Sequence, residues 1–222
     1  MKITPALSAA ALLVVIAGSM SAPAYANEDP QPVPPEQITE SNVVVPLDAT
    51  ILIDGKPTDI AVMPDFDPEA PAMVFGDSGE PVPVESIEVV YADGQRAEVS
   101  AVSPTNRAAV ASCTRGWAAP GTGTWYYSVL GCSHIGFTAT ATVGYKWTVD
   151  GNSNGSACFQ GRGYHLYSYP GGSTYKEIYS GLGCGGSGSD GGGSILWGNV
   201  ASSKRIKMMS TASPVGAAGT FE

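Results

Sequence analysis

Along this chain apolar and polar positions follow the two-residue period of strands. After the first twenty-odd residues, apolar side chains nowhere recur at i, i+3, i+4, i+7 over three turns. The clearest alternation spans residues 135–149. Phe137, Ala139, Ala141, Val143, Tyr145, Trp147 and Val149 share one face, with Thr138, Thr140, Thr142 and Lys146 opposite, as in a half-buried strand. Asp150-Gly151-Asn152-Ser153-Asn154-Gly155 then reads as a turn and residues 157–169 as the return, which predicts a hairpin across 150–155. Pro170-Gly171-Gly172 turns the chain again into residues 174–179. Upstream, short β-type runs occupy 43–45, 51–53, 60–62, 84–91 and 97–102, with Asp54-Gly55 and Asp93-Gly94 as hairpin signals. Residues 63–83, rich in Pro and Asp, read as loop, and the Gly/Ser tract 183–194 as a mobile surface loop. Segments 124–130, 195–197 and 206–209 complete the strand set.

Composition sharpens this into a fold class. Gly (28) and Pro (17) are abundant and charged residues scarce, which favours strands and turns over helices. All four cysteines lie in the second half, inside a loosely duplicated pattern. Tyr127-Ser128-Val129-Leu130-Gly131-Cys132 returns as Tyr179-Ser180-Gly181-Leu182-Gly183-Cys184. Each copy has a C-x-x-G upstream (Cys113, Cys158) and a tryptophan downstream (Trp147, Trp197). No C-x-x-C pair is present, which disfavours a zinc site. Four cysteines allow three pairings. One bridge per copy, Cys113–Cys132 and Cys158–Cys184, is the natural choice if the duplication is structural, each worth about 3 kcal/mol by loop closure. The expected architecture is all-β: a small disulfide-stapled β-sandwich or barrel-like C-terminal domain, with a twofold internal repeat in prospect, preceded by an acidic, short-stranded N-terminal segment.

Charge and the N-terminus divide the chain further. Lys2, the apolar stretch 6–17 and Ala24-Tyr25-Ala26 have the layout of a secretory signal, so 1–26 are read as a signal peptide and the protein as secreted and extracellular. The apolar stretch is too short for a membrane span. Residues 27–42 form a Pro/Glu-rich disordered leader, 43–107 an acidic β-rich segment or pro-region, and 108–222 the disulfide-containing β domain. Residues 27–101 hold 16 Asp/Glu against Lys56 and Arg96, a net of −14, whereas 102–222 net +4. So sharp a partition implies two regions with different jobs. The make-up resembles that of exported bacterial proteins.

Chemistry-bearing residues give no catalytic set. Phe75-Gly76-Asp77-Ser78-Gly79-Glu80-Pro81 resembles the nucleophile segment of trypsin-like serine proteases, with Glu80 in place of a glycine. That family needs a histidine upstream of the serine; His134 and His165 both lie downstream, so the segment reads as a turn. The Gly-rich tract lacks a Gly-Lys-Ser/Thr phosphate motif. Neither a cofactor, a metal nor nucleic acid is implied. Aromatic residues concentrate in the second half, where Trp117, Trp125, Tyr126, Tyr164, Tyr167 and Tyr169, with Arg162 among them, are candidates for stacking on sugar rings or a partner protein. Lys204-Arg205-Ile206-Lys207 is a short basic cluster suited to anionic envelope polymers.

These features point to a secreted, non-enzymatic binding protein whose partner is a surface polysaccharide, a cell-envelope polymer or a protein. The alternative is a secreted toxin or bacteriocin-like effector, made as a precursor whose acidic half masks the basic half until cleavage near Arg107. A secreted hydrolase using His134 or His165 is the remote third.

Overall fold

The computed structural model describes residues 43–102 and 113–222. The expected signal peptide, the leader and the junction around Arg107 lie outside them. Every regular element among the described residues is a strand. The fold class expected from the sequence is therefore met, and so is the disulfide pairing, Cys113–Cys132 and Cys158–Cys184.

Two sheets form a sandwich. The first has the order β1 (Val43–Val44), β14 (Gly172–Gly185), β13 (Ala157–Tyr169), β17 (Ile206–Ser210), β10 (Tyr126–Tyr127). The second runs β15 (Asp190–Leu196), β12 (Thr142–Val149), β18 (Ala217–Phe221), β9 (Arg115–Ala119). Alternation along β12 buries Val143, Tyr145, Trp147 and Val149 against the first sheet. Trp147 stacks on Phe159 of β13 at 4.3 Å between centroids, and Trp117 meets the same ring edge-on at 4.9 Å.

That packing overturns the hairpin across 150–155. β12 pairs with β15 and β18, whereas β13 pairs with β14 and β17. The Asp150–Gly155 turn carries the chain from one sheet to the other, because the apolar faces of β12 and β13 satisfy each other face to face rather than edge to edge. The alternating run 135–149 is also broken: Phe137 is 49% exposed, and residues 137–141 turn between β11 (Ser133–Gly136) and β12. The long hairpin is instead β13–β14, closed at Pro170-Gly171-Gly172 and crossed by the Cys158–Cys184 bridge between directly paired residues.

The Gly/Ser tract is not a mobile loop. Residues 183–185 finish β14, and Asp190 opens β15, which runs beside β12 over seven residue pairs. Glycine is required there by the tryptophan. A Cβ at Gly185 or Gly191 would overlap the Trp147 ring, and one at Gly192 would strike the Tyr145 carbonyl.

A third sheet, ordered β4 (Ala61–Val62), β16 (Val200–Ser203), β11, β5 (Ala72–Phe75), β6 (Pro81–Val82), draws strands from both halves of the chain. β5 runs parallel to β11 over four residue pairs, and β4 parallel to β16 over two. β5 lies in the stretch 63–83 expected to be loop; four strand residues between Pro-rich turns are too short to show periodicity. The trypsin-like segment 76–80 is the turn that follows it, with Gly79 at φ 78°.

A fourth sheet, β3 (Lys56–Pro57), β2 (Ala49–Ile53), β7 (Ile87–Tyr91), β8 (Arg96–Val99), covers the outer side of the third. Both of its hairpins turn where the sequence placed them, at Asp54-Gly55 and Asp93-Gly94. Ile51, Ile53, Ile87, Val89 and Val99 pack on Val62, Ala72, Val74, Ile135 and Ala201 of the third sheet. The opposite face of the third sheet supplies Phe75 and Val200 to the main core.

The tight seat of Trp147 sets a test. Gly191→Val should lower the unfolding free energy by about 1–3 kcal/mol through overpacking, a fall in Tm of about 3–10 °C. Gly144→Ala, whose Cβ meets nothing within 4 Å, should leave Tm unchanged or slightly raised. Equal, small effects in thermal melts would mean that the tract does not pack on the tryptophan.

Candidate functional site: an aromatic and cationic sheet face

The outer face of the first sheet is built by the simple alternation of β17, where Ile206, Met208 and Ser210 point inward and Lys207 and Met209 outward. On β10, Tyr126 is opposite Met208 and packs against the core, while Tyr127 is opposite Lys207 and 52% exposed. Gln160 of β13 continues the row, and Gly181 of β14 ends it with open space where a side chain would stand. Tyr179 leans over this gap toward Tyr127, their centroids 5.6 Å apart at 75°. The two tyrosines are the first residues of the duplicated Y-S-x-L-G-C pattern. The first copy leaves its strand after Tyr127 whereas the second remains within β14.

Cations fill the space between the rings. The Lys207 ammonium is 4.1 Å from the Tyr179 centroid and 4.8 Å from that of Tyr127, and the Arg205 guanidinium lies 4.7 Å from Tyr127. Arg205 is oriented from behind: its Nε donates to the Ser128 carbonyl at 3.0 Å, and the Ser128 hydroxyl accepts from the Ile206 amide at 3.1 Å. Neither cation has a carboxylate partner among the described residues. By contrast Arg96 pairs with Glu88 and Lys146 with Glu222.

Of the candidates drawn from the sequence, three are core members. Trp117 donates its Nε1 to the Thr148 and Thr220 carbonyls. Tyr164 is wholly buried against Trp197, its hydroxyl 2.5 Å from Ser202 Oγ. Arg162 is buried beneath the third sheet, where it engages Asp65, the Ser203 carbonyl at 3.2 Å and Glu177 at 3.2 Å. Trp125, 36% exposed, adjoins Tyr126 beside the cationic face. Tyr167 and Tyr169 are elsewhere, on the projecting end of the β13–β14 hairpin. There Tyr167 meets His165 and carries Lys176 over its ring at 4.1 Å, and Tyr169 is 55% exposed. Tyr127, Tyr179, Arg205 and Lys207 were missed as a set because they come from β10, β14 and the connection into β17, far apart in sequence; the duplicated tyrosine was the available signal.

The basic cluster is divided by the fold. Lys204 turns inward, donates to the Gly144 carbonyl at 2.5 Å and lies 5.0 Å from the Tyr145 ring, and burial lowers its pKa to about 8. His134 is buried in the third sheet, 5.1 Å from Phe75 and 6.0 Å from Trp197, with Nδ1 donating to the Cys132 carbonyl. Burial, then the nearby Lys204 charge, hold its pKa well below 6.5, so it remains neutral. Burial, then Glu177, raise the pKa of the Tyr179 hydroxyl, so the ring stays uncharged beside Lys207.

No group of three or more His, Cys, Asp and Glu among the described residues is placed to hold a metal. No helix among them is long and apolar enough to cross a membrane. No protein-family model matches the chain, and comparison with curated proteins and with solved structures finds no match.

The buried bases set the pH profile of stability. Below its unfolded pKa of 6.5, His134 takes up a proton in the unfolded chain and not in the fold. Stability therefore falls with falling pH, by up to about 1.4 kcal/mol per pH unit. From about pH 8 to 9 the unfolded chain holds a proton that folded Lys204 has released, so stability rises with pH there. Nearer pH 10 the trend reverses, as Tyr145, Tyr164 and Tyr179, whose pKa values burial raises in the fold, ionise in the unfolded chain. Urea midpoints should show His134→Gln flattening the limb between about pH 6.5 and 5, and Lys204→Met removing the alkaline rise. Profiles unchanged by both substitutions would contradict this burial.

Proposed function

We propose that the protein is a secreted, non-enzymatic binding protein, and that the outer face of its first sheet is the surface that meets the target. The observation that carries this reading is the Tyr127–Lys207–Tyr179 arrangement. Two tyrosines and two cations converge on an open, glycine-floored row of a rigid sheet, with no carboxylate partner for either cation among the described residues. Flat rings with polar edges stack on sugar rings or on the side chains of a partner protein, and holding them on strands limits the ordering cost of binding. Trp125 extends the aromatic surface along the same edge. Two disulfides are compatible with an extracellular setting, where a binding module needs bridges that survive.

The histidines do not favour the hydrolase reading. His134 is sealed inside the third sheet with a backbone carbonyl as its hydrogen-bond partner, and His165 stands beside Tyr167 on the hairpin end. The precursor reading has one contact in its favour, the Asp65 carboxylate on Arg162. Removing the acidic half would, however, strip β4 and β5 from the third sheet.

Full-length protein from culture medium should sediment with intact cells or envelope preparations of the producing organism. Tyr127→Ala should weaken that association about tenfold, near 1.4 kcal/mol, with Tm unchanged. An association indifferent to Tyr127→Ala, or none at all, would overturn the reading.

A further inference from the structure

We infer that the target of this face is a polyanion: a polymer in which phosphate or carboxylate groups alternate with sugar or polyol units. The inference rests on the binding reading above and adds the chemistry of the ligand. Arg205, in the connection that leads into β17, and Lys207, on β17, both bring their charges to the Tyr127 ring, 4.7 and 4.8 Å from its centroid. They are the outward members of the basic cluster, since Lys204 is committed to the interior.

Among the described residues, the other charges nearby do not answer them. Asp65 and Glu177 are both engaged by buried Arg162. Counting Arg162, Arg205 and Lys207 against Asp65 and Glu177 leaves one net positive charge, and the exposed part of it belongs to Arg205 and Lys207.

Each cation is also pre-oriented. Arg205 uses Nε on the Ser128 carbonyl, which leaves the terminal nitrogens of its planar fork for a bidentate anion. Lys207 is bracketed by two rings that fix its long side chain. Beside the cations, the exposed part of the Tyr127 ring offers an apolar surface to the C–H groups of a sugar or polyol. An anion on each cation and an apolar ring beside them describe an alternating polymer better than an isolated ion or a neutral glycan.

Calorimetry of the disulfide-intact full chain against a glycerol-phosphate polymer, polygalacturonate and neutral dextran tests this. Binding is expected to one or both anionic polymers and not to dextran, and to weaken at least about tenfold between about 50 and 200 mM salt. The glycerol-phosphate and polygalacturonate arms distinguish phosphate from carboxylate as the source of charge. Arg205→Gln with Lys207→Gln should weaken the anionic binding at least about tenfold with Tm unchanged, whereas Arg96→Gln, in the fourth sheet, should not. Equal binding to dextran, binding that survives the double substitution, or no binding to any polymer would overturn the polyanion assignment. Envelope association that survives the double substitution but falls with Tyr127→Ala would leave the binding function standing with a neutral target. Envelope association indifferent to Tyr127→Ala would remove both.

Discussion

The third sheet is the constraint on which the rest of the structure depends. Its central strands, β11 and β16, are covered on both faces and buried at every residue, yet their sequences are Ser-His-Ile-Gly and Val-Ala-Ser-Ser. Parallel pairing of this kind occurs where both faces of a sheet are shielded from water. The acidic segment supplies the flanking parallel strands. It also partners the buried hydroxyls: Ser133 donates to the Asp67 carbonyl, Ser203 to the Asp65 carbonyl and Ser202 to the Asp65 carboxylate. A buried hydroxyl left unpaired costs about 1–3 kcal/mol. Removing the acidic segment would take one partner from each of the three hydroxyls, leaving Ser133 and Ser203 to each other and Ser202 to Tyr164, and would take the Asp65 carboxylate from the buried guanidinium of Arg162. The charge partition along the chain is therefore not a partition of the fold.

From this sheet the candidate surface follows. Arg162 is drawn beneath it by Asp65 and Glu177, which takes one cation off the outer face of the first sheet and leaves Arg205 and Lys207 there. The sandwich behind that face is closed by Trp147, Trp117 and Phe159, so the strands bearing Tyr127, Tyr179 and Lys207 rest on a packed core. Aromatic residues thus serve both purposes, divided by strand parity. Tyr126 goes inward and Tyr127 outward because they are neighbours on one strand.

Much of this was legible in the sequence. Period-two alternation showed the all-β class and the buried face of β12, the Asp-Gly pairs marked both hairpins of the fourth sheet, and one bridge per repeat was the right disulfide pairing. What was illegible was partnership. A strand's period states which residues face inward and not which strand lies beside it, so the 150–155 turn passed for a hairpin. Glycine in 183–194 suggests freedom, whereas its lack of a side chain beside Trp147 is the operative property. β5 was too short and too enclosed by Pro and Asp to be seen. The cationic face was hidden because its members come from β10, β14 and the β16–β17 region, and Trp117, Arg162 and Tyr164 carried the same aromatic and basic signal into the core.

Hydrogen exchange on the intact chain, read by mass spectrometry, tests the shared sheet most directly. Peptides covering 72–75 of the acidic half and 133–136 of the disulfide half should exchange together, with the free energy of global unfolding shown by 157–163. Exchange of 72–75 about a hundredfold faster than 133–136, through a local opening that leaves the rest protected, would contradict a fold built from both halves.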